Sequence, residues 1–279
     1  MLSTQQQQHP PTLALCAIGD ELLSGRTQDV NVQQLAQHLF AQGIPLRAVH
    51  IVPDDAEQIS QSLVRLAQEH SAVFTSGGIG PTHDDITYAA VARAFDRGLG
   101  YHEETLARMR RMTRGNMVKP DPQGNEAERA CARMALLPCG AHVEYPCDDL
   151  WVPVVRVGRV HVFPGVPRLF GRLARAYVPR GWPGVEGMAG VRGFCRVLVV
   201  TALRESVVAP ALERLQREYG PRGVQLGSYP QWPVDAGGRP AHVVVSATGT
   251  DERALAACKA ELLRLLDGTE IADTLSSKM

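Results

Sequence analysis

Apolar and polar positions sort the first third of the chain into alternating strand and helix patterns. Thr12 to Gly19 is a short apolar run closed by glycine, the pattern of a buried strand. Between Asp29 and Gln42 the residues Val32, Leu35, Ala36, Leu39 and Phe40 draw one face of a helix, which Gly43 closes. Leu46 to Val52 predicts a second strand. Asp54 or Asp55 can cap a helix reaching about His70, with Ile59, Leu63, Leu66 and Ala67 turned inward. Ser71 to Ser76 predicts a third strand, and a helix from about Thr82 to Phe95 follows a glycine-rich loop. Strands alternating with helices argue for an α/β fold with a parallel sheet covered on both faces. Such sheets place ligand sites beyond the carboxyl ends of their strands. Gly19-Asp20-Glu21 and Ser76-Gly77-Gly78 both fall there.

The middle of the chain is less periodic. His102 to Arg114 predicts a basic helix with Arg108, Arg110, Arg111 and Arg114 as a solvated face, and Gly115 to Glu126 predicts a loop. Val152 to Val157 and Arg159 to Phe163 are two strands turning at Gly158. They lead through Pro164-Gly165-Val166-Pro167 into a helix from Arg168 to Tyr177. The Gly- and Pro-rich stretch Pro179 to Gly190 reads as a boundary between domains spanning 12–178 and 191–270. The second, smaller domain carries strands Phe194 to Ala202, Val224 to Tyr229 and His242 to Ala247. Helices Glu205 to Tyr219 and Glu252 to Leu266 complete an α+β unit.

Composition narrows the classes. Lys plus Arg number 29 and Asp plus Glu number 29, so the formal charge is zero and the basic excess of a nucleic-acid binder is missing. No apolar run approaches the roughly 18 residues of a membrane span. Met1 to Pro11 is Gln-rich without an apolar segment and reads as a disordered tail, so a cytoplasmic location is expected. The terminal Ser277-Lys278-Met279 is close to a peroxisomal address, which stands as the minority reading. The 6 cysteines form no C-x-x-C pair, so neither a zinc site nor a disulfide framework is expected. Cys16 and Cys195 sit in apolar runs and read as buried thiols.

The sharpest chemistry lies at Ser76-Gly77-Gly78-Ile79-Gly80-Pro81-Thr82. Glycines let backbone amides approach a ligand with no β-carbon in the way. Pro81 stiffens the entry to the next helix, and Thr82 can cap it with Asp85 three residues on. Free amides at a helix N-terminus bind phosphate. The carboxylates of Asp84 and Asp85 favour the same helix end through its dipole. Beside a phosphate they would repel it, and a divalent cation between acid and phosphate resolves the conflict. Asp20 and Glu21 either join that site or form a solvated loop; Thr27 and Asn31 either reach the ligand or cap the following helix. Arg133 is a candidate phosphate contact or a surface charge, and His83 a second-tier one. No P-loop lysine motif and no Gly-x-Ser-x-Gly elbow is present.

Gly19-Asp20-Glu21-Leu22-Leu23-Ser24-Gly25, then Asp29-Val30-Asn31, then Ser76 through Thr87 resemble the molybdopterin-binding (MoaB/Mog-like) domain family. The resemblance is strongest to the N-terminal halves of CinA and of eukaryotic FAD synthase. Thr27 through Asn31 and Val162 through Pro167 lean toward the latter, which brings Pro164 and Gly165 among the ligand contacts. The resemblance covers about residues 12–178. It implies a three-layer α/β/α fold and a phosphate- or pyrophosphate-bearing ligand: molybdopterin, adenylated molybdopterin, ADP-ribose or FAD. It further implies hydrolysis of such pyrophosphates with Mg²⁺, Mn²⁺ or Co²⁺, with Asp85 at the functional aspartate and Asp84 beside it. Many members carry Glu at the position of Ala89, and CinA proteins carry Gly-Thr-Ala-Pro-Gly where this chain has Asp148-Asp149-Leu150-Trp151-Val152. The chain ends before any amidase or adenylyltransferase domain, so neither NMN deamidation nor FAD synthesis is expected. The leading expectation is a metal-dependent nucleotide pyrophosphatase, as a homo-oligomer that binds neither nucleic acid nor membrane. Molybdopterin binding without hydrolysis is the alternative. A non-catalytic domain kept for oligomer or partner contact is the third.

Overall fold

The computed structural model describes residues 11–114, 117–179, 182, 192–231 and 242–272. The N-terminal tail up to residue 10, most of the Pro179 to Gly190 stretch and the terminal tripeptide lie outside the described residues. Chain contacts divide the molecule into two units, Met1–Val191 and Arg192–Met279.

The first unit runs β1 (Leu13–Ile18), α1 (Asp20–Leu23), α2 (Asn31–Gln42), β2 (Leu46–Val52), α3 (Ala56–Glu69), β3 (Ala72–Ser76), α4 (Thr87–Ala94), β4 (Leu99–Tyr101), α5 (Glu103–Met112), α6 (Glu126–Arg133), β5 (Leu136–Pro138), β6 (His142–Glu144), β7 (Val154–Val157), β8 (Val160–Phe163) and α7 (Pro167–Tyr177). Six strands form one sheet in the order β2-β1-β3-β8-β7-β6. The four strands from β2 to β8 are parallel, and the last two pairings are antiparallel. The pleat of β1 shows why the fold has three layers. Its alternate residues Leu13 and Leu15 pack under α2 and α7, among Leu35, Leu39, Phe170 and Leu173. Ala14, Cys16 and Ile18 point the other way, into Ile59, Leu63 and Leu66 of α3 and Tyr88 and Val91 of α4. A strand apolar at every position is what such double coverage requires.

The second unit runs β9 (Cys195–Thr201), α8 (Glu205–Tyr219), β10 (Gln225–Gln231), β11 (His242–Gly249), α9 (Glu252–Leu266) and β12 (Thr269–Ile271). Its sheet is antiparallel, ordered β10-β11-β9-β12, and its own core includes Val199, Leu215, Val245 and Leu262.

Three local expectations change. The helix expected from Thr82 starts at Thr87, because the Asp85 carboxylate takes the Gly80 and Thr82 N–H groups and holds them in a turn. Thr82 therefore caps no helix. Arg108 is not simply solvated: it pairs with Glu104 at 3.0 Å and lies 3.7 Å over the Tyr145 ring. Cys195 is only half-buried at a strand end, whereas Cys258 is buried inside α9. All the cysteines are free thiols. Among the described residues no helix is long and apolar enough to cross a membrane.

Candidate functional site

The carboxyl ends of β2, β1, β3 and β8 share one edge of the sheet, and a cavity of about 570 Å³ opens there. The geometry begins with the glycine loop. Gly77 has φ +112°, and a β-carbon on it would stand 2.2 Å from the Ile18 carbonyl oxygen. Gly78 has φ +64°, and a β-carbon there would meet the Thr87 hydroxyl at 2.3 Å. Glycine is thus required twice in succession, by backbone conformation and by contact. Thr87 fastens α4 to this loop: its hydroxyl donates to the Gly77 carbonyl at 2.9 Å and its N–H to the Gly78 carbonyl at 2.9 Å. The Gly77 N–H reaches back to the Phe163 carbonyl over 3.4 Å, and the Gly78 N–H has no protein acceptor among the described residues.

Asn31 ties two loops together from below. Its buried side chain donates to the Ser76 hydroxyl and to the Gly165 carbonyl, both at 2.8 Å. Asn31 and Ser76 do not line the cavity; they position what does.

The sequence candidates divide clearly. Gly19, Glu21 and Thr27 from the β1 side line the cavity. So do Gly77, Gly78, Gly80, Pro81, Asp84 and Asp85 from the β3 side, and Pro164 and Gly165 from the β8 side. Asp20 is exposed outside it, and its N–H donates to Asp54 Oδ2 at 3.0 Å. Thr82 is an exposed loop residue, and Arg133 donates to its carbonyl at 3.2 Å, bracing the loop. His83 is almost fully exposed, and Ala89 lies on the outer face of α4.

The two central aspartates differ. Asp85 accepts at Oδ1 from the Gly80 N–H at 2.6 Å and at Oδ2 from the Thr82 N–H at 2.8 Å, and also takes the Thr82 hydroxyl. Its carboxylate is turned into its own loop, and the Gly80 amide assigned to a ligand is occupied by it. Asp84 is exposed, and hydrogen bonding to Thr82 lowers its pKa. Its neighbour across the cavity is Asp54, which sequence reading placed only as an alternative helix cap. Asp55 does that capping, accepting from the Gln58 N–H at 2.9 Å, which leaves Asp54 on the cavity wall. Burial, followed by the negative charges of Asp20, Glu21 and Asp84, raises the Asp54 pKa above 3.8. The strand-end rule could have found Asp54, because β2 runs parallel to β1. Met134, Trp151, Val152, Val166 and Leu169 also line the cavity and were missed.

The fold and the cavity define a three-layer α/β/α domain with an open cavity at its strand ends. Residues 14–207 match the model described as "Probable molybdopterin binding domain", and residues 193–274 match "FAD synthase, middle domain". The chain belongs to the molybdopterin-binding (MoaB/Mog-like) domain family. It is 29% identical over 242 residues to the probable FAD synthase of Caenorhabditis elegans, covering 83% of this chain and 46% of that one. It is 33% identical over 265 residues to a CinA-like protein of Citrifermentans bemidjiense, covering 94% and 59%. The chain thus spans about half the length of these relatives. The crystal structure of the protein CinA with unknown function from Thermoplasma acidophilum shares the fold, with a TM-score of 0.51 at 24% identity, over 60% of this chain and 95% of that one.

Proposed function

We propose that this protein hydrolyses a nucleotide pyrophosphate of the FAD or ADP-ribose class, with a divalent cation. The observation that carries the reading is the meeting, in one cavity, of the glycine loop with the facing carboxylates Asp54 and Asp84. The Gly78 N–H, held by a backbone that only glycine adopts, donates to a phosphoryl oxygen as charge develops on it. The fit to a hard cation rests on charge. Asp54 stands among Asp20, Glu21 and Asp84, whose negative charges raise its pKa. Among the described residues no three acidic, histidine or cysteine side chains converge on one point. That donor set suits an ion such as Mg²⁺, which keeps waters and substrate phosphates alongside one or two carboxylates. Asp84 and Asp54 would hold it, where Mg²⁺, Mn²⁺ or Co²⁺ would neutralise phosphate charge. Water attacks one phosphorus and loses its proton to solvent; the new P–O bond forms as the bridging P–O bond breaks, giving two phosphate monoesters. Asp85 shapes the loop.

Incubation with ADP-ribose or FAD and each metal tests this, and release of AMP is the expected result. Absence of AMP with every metal overturns it. The second reading, molybdopterin binding without hydrolysis, draws on Asp85 being committed to its own loop. It predicts retained pterin and no turnover. Self-association belongs to either reading and is checked by sedimentation of the full chain.

A further inference from the structure

We infer that the cavity is polarised along the sheet edge, and that Trp151 is a specificity-determining residue that receives a planar aromatic ring of the ligand. The inference deepens the reading of the glycine loop as the anion subsite and rests on it. Strand order supplies the argument. Along the edge the cavity wall passes from Asp54 after β2, to Glu21 after β1, to Gly77 and Gly78 after β3, to Pro164 after β8. It ends at Trp151 and Val152, just before β7. Because β7 is antiparallel to β8, its beginning lies beside the β8 end, and Trp151 joins the same edge. Acid, amide and aromatic groups therefore follow one another in a fixed order.

The span fits a definite ligand shape. Two strand steps separate β3 from β7, roughly 10 Å at the usual spacing. That is the reach of an extended nucleotide from its phosphates to its base. Trp151 is itself fixed. It is half-buried, packed against the core beneath α7 and against the small cluster of Leu106, Met109 and Ala132. The turn that carries it is anchored by Arg172, which donates to both Asp149 oxygens at 2.7 and 2.8 Å. Met134 and Leu169 supply further apolar wall. A rigid indole facing a cavity, with a phosphate subsite at nucleotide distance, selects a ligand with a flat π surface over a bare pyrophosphate.

The test compares a ring-bearing with a ring-free ligand by titration calorimetry in Ca²⁺, used in place of the Mg²⁺ that supports turnover so that binding alone is read. ADP-ribose and inorganic pyrophosphate are titrated into the full chain and into Trp151→Ala and Trp151→Phe. Trp151→Ala is expected to weaken ADP-ribose by about tenfold or more while leaving pyrophosphate unchanged, and Trp151→Phe to retain most of the affinity. Should Trp151→Ala fail to fold, Trp151→Leu, bulky but without a π face, carries the same comparison. Equal weakening of both ligands, or of neither, overturns the inference. An unaltered chain that binds pyrophosphate as tightly as ADP-ribose removes the ring subsite and leaves the anion reading standing. Binding of neither ligand removes both.

Discussion

At the scale of single residues, three neighbouring aspartates carry separable tasks. Asp54 is an acid whose folded pKa stands above its unfolded value, so its contribution to stability is present at pH below 3.8 and lost as pH rises through the folded pKa. At neutral pH the ligand-free protein bears that cost. Asp54→Asn, which can still accept from the Asp20 N–H, is expected to raise the ligand-free melting temperature and to abolish Mg²⁺-dependent turnover; differential scanning fluorimetry and AMP release read the two effects. Protonation of Asp54 competes with the cation, so in the unaltered protein metal affinity falls as pH drops through the same range. Asp85→Ala strips the acceptor from two backbone donors and a hydroxyl. It is expected to lose about 1–2 kcal/mol in urea denaturation, along with ligand binding. Asp84→Ala, an exposed change, should keep the stability and lose the turnover. Equal stability loss in both variants would contradict the division of labour.

At the scale of elements, the long periodic segments were legible and the short ones were not. α8 and α9 lie where their apolar spacing puts them, from Glu205 and Glu252. β4, β5 and β6 have three residues each, too few to display a period. The start of α4 was misread because Thr82 followed by Asp85 suggests a helix cap, and only the folded loop reveals that the carboxylate bonds backward. Of the cavity wall, the glycine loop and Glu21 could be read from strand ends. Trp151 was missed although the turn at Gly158 already sets β7 antiparallel to β8, because no residue type that marks a ligand site stands out in the segment before β7. The loop-to-helix junction makes its own prediction. Gly78→Ala combines a left-handed backbone with a collision against Thr87 and should cost of order 2 kcal/mol, measured by denaturation.

At the scale of the whole molecule, the two units have apolar cores of their own and the strand-end cavity lies within the first unit, which sets the expectations. Residues 1–191 alone should keep the ligand affinity of the full chain, because every cavity residue lies within them. Acid sensitivity should trace to the centre of that unit. His161 is buried beside Phe74 and bonded through Nδ1 to the Tyr177 hydroxyl at 2.9 Å. Burial first, then Arg156 and His142, push its pKa down to about 3. The unfolded chain binds that proton near pH 6.5 and the folded chain does not, so stability is full above this pH and falls at about 1.4 kcal/mol per unit below it. His161→Gln should make that slope correspondingly shallower in denaturation curves taken between pH 6.5 and 4.5. A last consequence follows from Gly165, where a β-carbon would come within 3.0 Å of the Gly77 α-carbon. Two main chains touch there, with Asn31 stitched beneath them, so that stretch of wall has no rotamer to swing aside. Guests of increasing thickness should therefore meet a threshold, bound well up to one size and refused beyond it, where a wall of side chains would yield by degrees.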